Sequence, residues 1–308
     1  MTKASAPGKI ILFGEHAVVY GHPALAVPVN QVHADAEVSN IDRAGIWINA
    51  PDVGLHEELS QLTPDHPLAA VIKGVFSTLG ISIYPHLEIK ISSTIPLASG
   101  LGSGAAVSVA IIRALSMHLG KPLAKEKISE LAYEVEKLHH GTPSGIDNNV
   151  VTFAKPIFFV KGQMIEMLEV RNPFTILIGD TGIPAPTKES VGDVRKLWEK
   201  NPQKMGALFA AAGSIAETAR QAIESGYPER LGPLMNENHS LLQEMTVSSP
   251  ELDRLTEASQ RVGALGAKLS GGGRGGNMIA LSTKEKAPAI AETLIKAGAK
   301  KVIITQVE

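Results

Sequence analysis

Short apolar runs separated by stretches of helical periodicity mark the first half of the chain. Alternating or continuous apolar residues predict four strands, at Ile10–Phe13, Ala24–Val29, His33–Ser39 and His86–Ser92. Before the last of these, apolar residues three or four apart predict a helix that begins near Asp65 or His66 and ends at Gly80. Two further helices are predicted, one from a glycine-rich segment to about Leu119 and one over Lys125–His140.

The second half has the longer helical patterns. Helices are predicted at Lys188–Glu199, Lys204–Ser225, Pro228–Met245, Pro250–Val262 and Glu285–Ala297. Strands are predicted at Ile157–Val160, Phe174–Ile178, Lys268–Ser270, Asn277–Ser282 and Lys301–Val307. Because helices and strands segregate instead of alternating strictly, we predict the α+β fold class. A boundary at Asn172-Pro173 would divide the chain into domains 1–172 and 173–308.

The composition favours a globular protein that acts on a small molecule. Hydrophobic residues make up 44% and charged residues 19% of the 308 positions, which is ordinary for a folded domain. A net charge of −2 and only 4% aromatic residues argue against a nucleic-acid partner. No apolar run approaches the roughly 18 residues of a membrane span. The absence of cysteine suits a reducing compartment. We therefore expect a soluble, cytoplasmic protein without a membrane partner.

Two glycine-rich segments are candidate phosphate-binding loops. Gly100–Ala105 lies between a predicted strand and a predicted helix, where backbone N–H groups and a helix N-terminus favour an anion. It fits the dinucleotide fingerprint, and so does Gly271–Gly276. A dinucleotide-binding oxidoreductase needs an acidic residue ending a strand about 20 residues later, but Lys121–Glu126 begins a helix there. Either segment alone is also compatible with a simple tight turn.

Three charged residues are candidates for chemistry, and each has a structural alternative. Lys9 precedes an apolar strand and would suit an exposed strand end. Asp147 follows Ser144-Gly145 and would suit a helix N-cap, the commonest position for Asp in a loop. Glu136 would suit an ordinary helix face. Their joint occurrence with the glycine-rich segments weakens these alternatives.

Three motifs in order resemble the GHMP-type small-molecule kinases, which include galactokinase, homoserine kinase, mevalonate kinase and phosphomevalonate kinase. They are Ala6–His16, Pro96–Ala106 and Lys268–Gly276. The segment Glu136–Asn148 is most similar to the mevalonate kinase branch. The resemblance implies a mixed α/β ATP-binding domain and a ferredoxin-like α+β domain with extra helices, with a cleft between the halves. It also implies ATP- and Mg²⁺-dependent phosphorylation of the primary hydroxyl of mevalonate, giving 5-phosphomevalonate.

The resemblance further implies individual roles. Asp147 would contact the acceptor hydroxyl, Lys9 would lie next to that hydroxyl and the γ-phosphate, and Glu136 would bind the metal. The implied substrate-binding residues are Glu15, His16, Ser144, Thr181 and Ser270. The implied ATP-phosphate residues are Pro96, Gly100, Leu101, Gly102, Ser103, Gly104 and Ala105.

Two positions depart from the family pattern. Gly104 stands where the family usually has a second serine whose hydroxyl reaches the metal. Water, the Ser103 hydroxyl or Ser108 would fill that position here, with water as the first choice and Ser103 as the next. Arg274 interrupts the last glycine run. A sister kinase for phosphomevalonate, homoserine or galactose is an alternative, as is an inactive ligand sensor on the same fold. The oligomeric state is open, with a homodimer as one alternative.

Overall fold

A computed structural model describes residues 1–96, 99–140, 144–185 and 187–308, with the backbone alone at 139 and 140. The chain forms two compact units that do not follow the order of the sequence. One contains Met1–Gly8, Val32–Leu97 and Gly102–Ala154, and the other contains Lys9–Gln31, Ala98–Leu101 and Lys155–Glu308. The division into domains 1–172 and 173–308 stays a prediction.

Within the described residues, the first half of the chain contributes five strands and four α-helices. The strands are β1 (Thr2–Phe13), β2 (Ala24–Asn40), β3 (Ile46–Ala50), β4 (Leu55–Glu58) and β5 (Leu87–Ser93). The helices are α1 (Pro67–Thr78), α2 (Ser103–His118), α3 (Lys125–His140) and α4 (Ile146–Phe153). In the first unit the strand order is β4-β3-β5-β2, with β3 and β5 parallel and the other pairs antiparallel. β1 pairs with β2.

Apolar side chains of α1 and α2 build the core of the first unit together with the sheet. Val71, Ile72, Val75 and Phe76 of α1 are buried, as are Ile48 and Ile89 of the strands. His66 caps α1, because its Nδ1 accepts a hydrogen bond from the N–H of Leu68 at 3.2 Å. The predicted helix start near His66 is therefore confirmed.

The second unit carries the remaining elements. Its strands are β6 (Ile157–Phe159), β7 (Glu166–Met167), β8 (Phe174–Asp180), β9 (Gly266–Ser270), β10 (Asn277–Ser282) and β11 (Lys301–Val307). Its helices are α5 (Thr187–Lys200), α6 (Pro202–Ser225), α7 (Leu231–Glu244), α8 (Pro250–Arg261) and α9 (Ala287–Lys296). The antiparallel sheet β11-β8-β10-β9 has the strand order of a ferredoxin-like βαββαβ unit, with α5–α8 as the expanded first helical connection.

Several elements differ from the sequence-based predictions. The runs Ala24–Val29 and His33–Ser39 are parts of one strand, β2, whose residues 24–26 pair with β6 in the second unit. Strands β3, β4 and β7 and helix α4 were not predicted. In the described ranges, no helix is long and apolar enough to cross a membrane.

Candidate active site

The glycine-rich segment leads directly into helix α2. Gly100 and Gly102 have φ of 79° and 73°, a left-handed conformation that favours glycine. Gly102 is the N-cap of α2, and Ser103 is the first helical residue. Neither the cap nor the first turn of α2 carries an acidic side chain of its own, so no residue of this helix offsets the partial positive charge of its N-terminus. This part of the segment is therefore suited to an anion.

Gly104 on α2 faces the carboxylate of Glu136 on α3. A Cβ at Gly104 would lie 3.2 Å from Oε1 of Glu136. Glu136 is buried, whereas Gly104 is exposed and Ser103 is half-buried. The first unit therefore brings together the predicted metal-binding Glu136 and the position where the family has a second serine. The Glu136 carboxylate is an oxygen ligand of the kind that Mg²⁺ accepts, and phosphate oxygens and water would complete the coordination.

Asp147 lies in the first turn of α4. Gly145, with φ of 89°, is the N-cap of this helix, so the N-cap interpretation of Asp147 is wrong. Ser144 precedes the cap, and its hydroxyl accepts a hydrogen bond from the N–H of Ile146 at 3.3 Å. Asp147 is half-buried. Its position is thus set by the start of a helix whose extent the sequence analysis did not predict.

Two buried asparagines hold α4 against α3. Asn148 donates from Nδ2 to the carbonyl oxygen of Ser129 at 3.1 Å and to its hydroxyl at 2.8 Å. The Ser129 hydroxyl donates to Oδ1 of Asn149 at 2.7 Å, and Asn149 donates to the carbonyl oxygen of Gly145 at 2.6 Å. The network links the N-terminus of α4 to the helix that carries Glu136, so it fixes Asp147 and Glu136 within one rigid part of the first unit.

Lys9 lies in the second unit, on strand β1. Its side chain is buried, so the exposed strand-end interpretation is wrong. The N–H of Lys9 donates to the carbonyl oxygen of Leu101 at 2.9 Å, which ties the strand to the glycine-rich segment. The segment has a second anchor, because Nδ2 of the buried Asn277 donates to the carbonyl oxygen of Ser99 at 2.5 Å.

Glu15 and Lys268 form an ion pair that is fully buried in the second unit. Lys268 also donates to the carbonyl oxygen of Leu269 at 2.6 Å. Burial raises the pKa of Glu15, and the Lys268 ammonium group counteracts part of that rise. Burial likewise lowers the pKa of Lys268. Removal of one partner of such a buried pair strongly destabilises the folded protein, because the other charge is left buried and uncompensated.

His16 follows with φ of 60°, which is uncommon for a residue other than glycine. Its Nε2 lies 3.1 Å from the carbonyl oxygen of Gly272. Burial lowers the pKa of His16 to about 4, so the ring is neutral at physiological pH. The second unit therefore brings Glu15 and His16 together with β9 and the glycine run that follows it, and their roles in substrate binding stay predictions.

Ser270 and Thr181 both make hydrogen bonds to the backbone. The Ser270 hydroxyl donates to the carbonyl oxygen of Ile11 at 2.7 Å, which joins β9 to β1. The Thr181 hydroxyl donates to the carbonyl oxygen of Gly276 at 2.8 Å and accepts from the N–H of Ile183 at 3.2 Å. Both hydroxyls therefore hold the backbone around the glycine run in place. Their roles in substrate binding stay predictions.

Arg274 is anchored within the glycine run. It has φ of 60°, and its N–H donates to the carbonyl oxygen of Val247 at 2.8 Å. Its guanidinium group donates to Oδ2 of Asp193 on α5 at 2.6 Å. This bond, together with Lys196, lowers the pKa of Asp193 to about 2. Gly272 packs closely on the same helix, because a Cβ there would lie 2.9 Å from Oγ1 of Thr187. The side chain of Arg274 therefore fixes the glycine run against α5.

Sequence reasoning missed the residues that support the site. Ser129, Asn149 and Asn277 are buried polar residues that lie outside the motifs, and Lys268 stands in the third motif only as its first residue. The one available signal was the paired amides after Asp147, since adjacent asparagines in a short helix are unusual unless hydrogen-bonded. Residues 97–98 of the second motif and 141–143 before Ser144 lie outside the described residues, so Pro96 can be placed only at the entry to that motif.

Similarity to known proteins extends over nearly the whole chain. The family models "GHMP kinases N terminal domain" and "GHMP kinases C terminal" match residues 68–155 and 219–300. The mevalonate kinase of Pyrococcus furiosus is 38% identical over 302 residues, covering 92% of this chain and 90% of that protein. The mevalonate kinase of Archaeoglobus fulgidus is 38% identical over 283 residues, covering 92% of this chain and 93% of that protein.

A solved structure agrees in fold. The crystal structure of L. major mevalonate kinase in complex with R-mevalonate matches with a TM-score of 0.85 at 30% identity, and covers 100% of this chain and 96% of that chain. The predicted two-domain fold and the resemblance are thereby confirmed, and the chain belongs to the GHMP kinase family.

Proposed function

We propose that this chain is an ATP- and Mg²⁺-dependent kinase that phosphorylates the primary hydroxyl of mevalonate, giving 5-phosphomevalonate. The observation that carries the proposal is the full-length match to a mevalonate kinase solved with R-mevalonate. The retained Lys9, Glu136 and Asp147 support an active enzyme over an inactive sensor, since loss of any one would have favoured the sensor.

In the proposed reaction the γ-phosphoryl group moves from ATP to the alcohol oxygen, and ADP leaves. Such a transfer needs little covalent work from the protein, so positioning and charge neutralisation dominate. Asp147 orients the primary hydroxyl and takes its proton. The ammonium group of Lys9 stabilises the negative charge on the transferred group and the attacking oxygen.

The phosphates of ATP are assigned to Gly100–Ala105 and the N-terminus of α2. Glu136 would hold Mg²⁺, with Ser103 as a second oxygen donor. The bound ion would neutralise charge on the β- and γ-phosphates. Among the described residues no group of three His, Asp or Glu side chains is placed to bind a metal. One carboxylate nevertheless suits Mg²⁺, which retains several waters and uses phosphate oxygens.

An acceptor panel tests this proposal against its alternatives. ADP release is measured with ATP, Mg²⁺ and either mevalonate, phosphomevalonate, homoserine or galactose. We expect mevalonate to give the largest kcat/KM of the four. A larger value with one of the others would assign the chain to a sister kinase, and no ADP release with any acceptor would favour the sensor.

The assembly and location are further proposals. We propose a homodimer in the cytoplasm, with no nucleic-acid partner. Sedimentation of the purified protein at several concentrations tests the dimer, and a monomer at all concentrations would contradict it. Fractionation of cells that express the chain tests the location, and recovery outside the cytoplasm would contradict it.

A further inference from the structure

Asn277 is an unusual residue for the position that it occupies. It is the first residue of β10, which lies between β8 and β9, and it is only 1% exposed. Asparagine is depleted in strands, and a buried amide costs free energy where it lacks hydrogen bonds. Here Nδ2 donates to the carbonyl oxygen of Ser99, whereas Oδ1 has no partner among the described residues. Stability alone explains such a residue poorly, which directs attention to its contact with Ser99.

The backbone next to Asn277 is held on several sides. The N–H of Gly276 donates to the carbonyl oxygen of Ile183 at 2.8 Å. The carbonyl oxygen of Gly276 accepts from the N–H of Thr181 at 2.9 Å and from the Thr181 hydroxyl at 2.8 Å. Asn277 itself is in register with residues of both β8 and β9. The amide of Asn277 is therefore a fixed point against which a loop can be positioned.

Hydrogen bonds hold the carbonyl groups on both sides of Gly100. Asn277 holds that of Ser99, and the N–H of Lys9 donates to that of Leu101 at 2.9 Å. Ser99 and Leu101 are buried, whereas Gly100 between them is exposed. Apart from its chain neighbours, no atom of a described residue lies within 4 Å of the position that a Cβ on Gly100 would occupy. The second unit therefore presents the backbone at Gly100 between two buried anchors.

A fixed carbonyl group also fixes the N–H of the residue that follows it. Because a peptide bond is planar and trans, its C=O and N–H groups point in opposite directions. The carbonyl group of Ser99 points at the amide of Asn277, so the N–H of Gly100 points away from it. A backbone N–H that is held in a set direction in an exposed glycine loop suits an anion such as a phosphate.

We propose that Asn277 is a positioning residue for the ATP phosphates, because its amide orients the Ser99–Gly100 peptide so that the N–H of Gly100 can donate to a phosphate oxygen. The inference rests on the proposed function, which assigns the phosphates to Gly100–Ala105. A donor that is already oriented before binding gives a tighter complex, because ordering a loop during binding costs affinity. A side chain without a donor at position 277 would release this peptide.

The experiment compares the parent with two variants that lose the amide donor. Asn277→Leu keeps the branched shape of the side chain, and Asn277→Ser has a shorter side chain. Asn172→Leu is the matched control, because Nδ2 of Asn172 makes a similar bond at 2.6 Å to the carbonyl oxygen of Gly226, at the end of α6. Calorimetry gives the Kd of Mg·ADP, kinetics with ATP and mevalonate give kcat and both KM values, and urea unfolding gives the stability of each variant.

We expect both Asn277 variants to bind Mg·ADP about three- to tenfold more weakly than the parent, the value of about one hydrogen bond. KM for ATP should rise by a similar factor and kcat should fall, because the γ-phosphate is less well positioned. KM for mevalonate should change less. Asn172→Leu should keep the parent's Kd and kinetic values even where its stability falls. A purely structural role of Asn277 would lower the urea midpoint and leave the Kd of Mg·ADP unchanged.

Three results would overturn the inference while the proposed function stands. One is an unchanged Kd of Mg·ADP in Asn277→Leu or, if that variant does not fold, in Asn277→Ser. Another is an equal loss of affinity in Asn172→Leu, because the effect would then follow from the loss of any such bond. The third is a failure of both Asn277 variants to fold, which would make Asn277 a residue required for folding.

The proposed function fails separately. A parent that binds Mg·ADP but does not phosphorylate mevalonate overturns the proposed acceptor, and the role of Asn277 in phosphate binding is still decided by the Kd values. A parent that does not bind Mg·ADP overturns the proposed function, and the inference fails with it.

Discussion

At the scale of single residues, the predicted catalytic and metal-binding side chains lie on elements that hold them firmly. Asp147 is in the first turn of α4, and Glu136 is buried on α3 against Gly104. The sequence could indicate these residue types because their motifs carry them. It could not indicate Lys268, since a lysine in a strand is ordinarily exposed and its burial follows only from pairing with Glu15, 253 positions away.

The first prediction concerns Asp147→Asn, which keeps the shape of the side chain and removes its charge and its capacity to take a proton. We expect kcat to fall about 10²-fold or more, with ATP affinity little changed. Glu126→Gln, in the first turn of α3, is the matched control and should stay fully active. Normal turnover in Asp147→Asn would remove Asp147 from the reaction.

The second prediction concerns Gly104→Ser. The φ of Gly104 is not positive, so serine is conformationally allowed there. Its Cβ would lie 3.2 Å from Oε1 of Glu136, which must move by a few tenths of an ångström. We expect activity within several-fold of the parent and saturation at a lower Mg²⁺ concentration. Kinetic titration with Mg²⁺ measures this, with Ser103→Ala in parallel. A large loss in Gly104→Ser would mean that the close approach to Glu136 requires glycine.

At the scale of elements, strong periodicity was predictable and short or polar elements were not. The bounds of helices α1, α2 and α3 were predicted to within a few residues. Apolar residues at helical spacing, or capping residues at the ends, mark these helices in the sequence. Helix α4 was missed because its polar face, Asn148-Asn149, is buried through hydrogen bonds to Ser129 and Gly145. Such pairing depends on a tertiary contact that no local pattern encodes.

The third prediction tests this anchoring of α4. Asn148→Ala leaves the Ser129 groups without their donor, so we expect the free energy of unfolding to fall by about 1–3 kcal/mol. Because α4 carries Asp147, kcat should fall several-fold, and by a larger factor than KM rises. Thr152→Val is the control, since the buried Thr152 hydroxyl has no partner among the described residues. Equal kcat in the two variants would show that the asparagine serves stability alone.

At the scale of the whole molecule, the antiparallel order β11-β8-β10-β9 and the two family domains agree with the predicted α+β class. The division into compact units was less accessible to sequence reasoning. Residues 9–31 and 98–101 belong to the unit formed mostly by the second half of the chain. The long strand β2 takes part in both units, and local composition changes little along it.

The fourth prediction concerns the pH dependence of folding. His16 is held neutral with a pKa of about 4, against an ordinary value of 6.5. The unfolded chain therefore binds more protons than the folded one between these values, so stability is lost as the pH falls from about 6.5 to about 4. From pH 7 to pH 5 this amounts to about 2 kcal/mol. Urea unfolding at both pH values should show a difference smaller by that amount in His16→Gln than in the parent, and an equal difference would contradict the assignment.

The most direct test of the central claim is the chemical identity of the product. The purified chain is incubated with ATP, Mg²⁺ and mevalonate, and the mixture is followed by phosphorus NMR with coupling to the adjacent carbon-bound protons. We predict one new phosphomonoester signal that is coupled to the two protons of a primary carbon, formed in step with ADP. An uncoupled ester on the tertiary carbon, or ATP consumption without any mevalonate ester, would contradict the account.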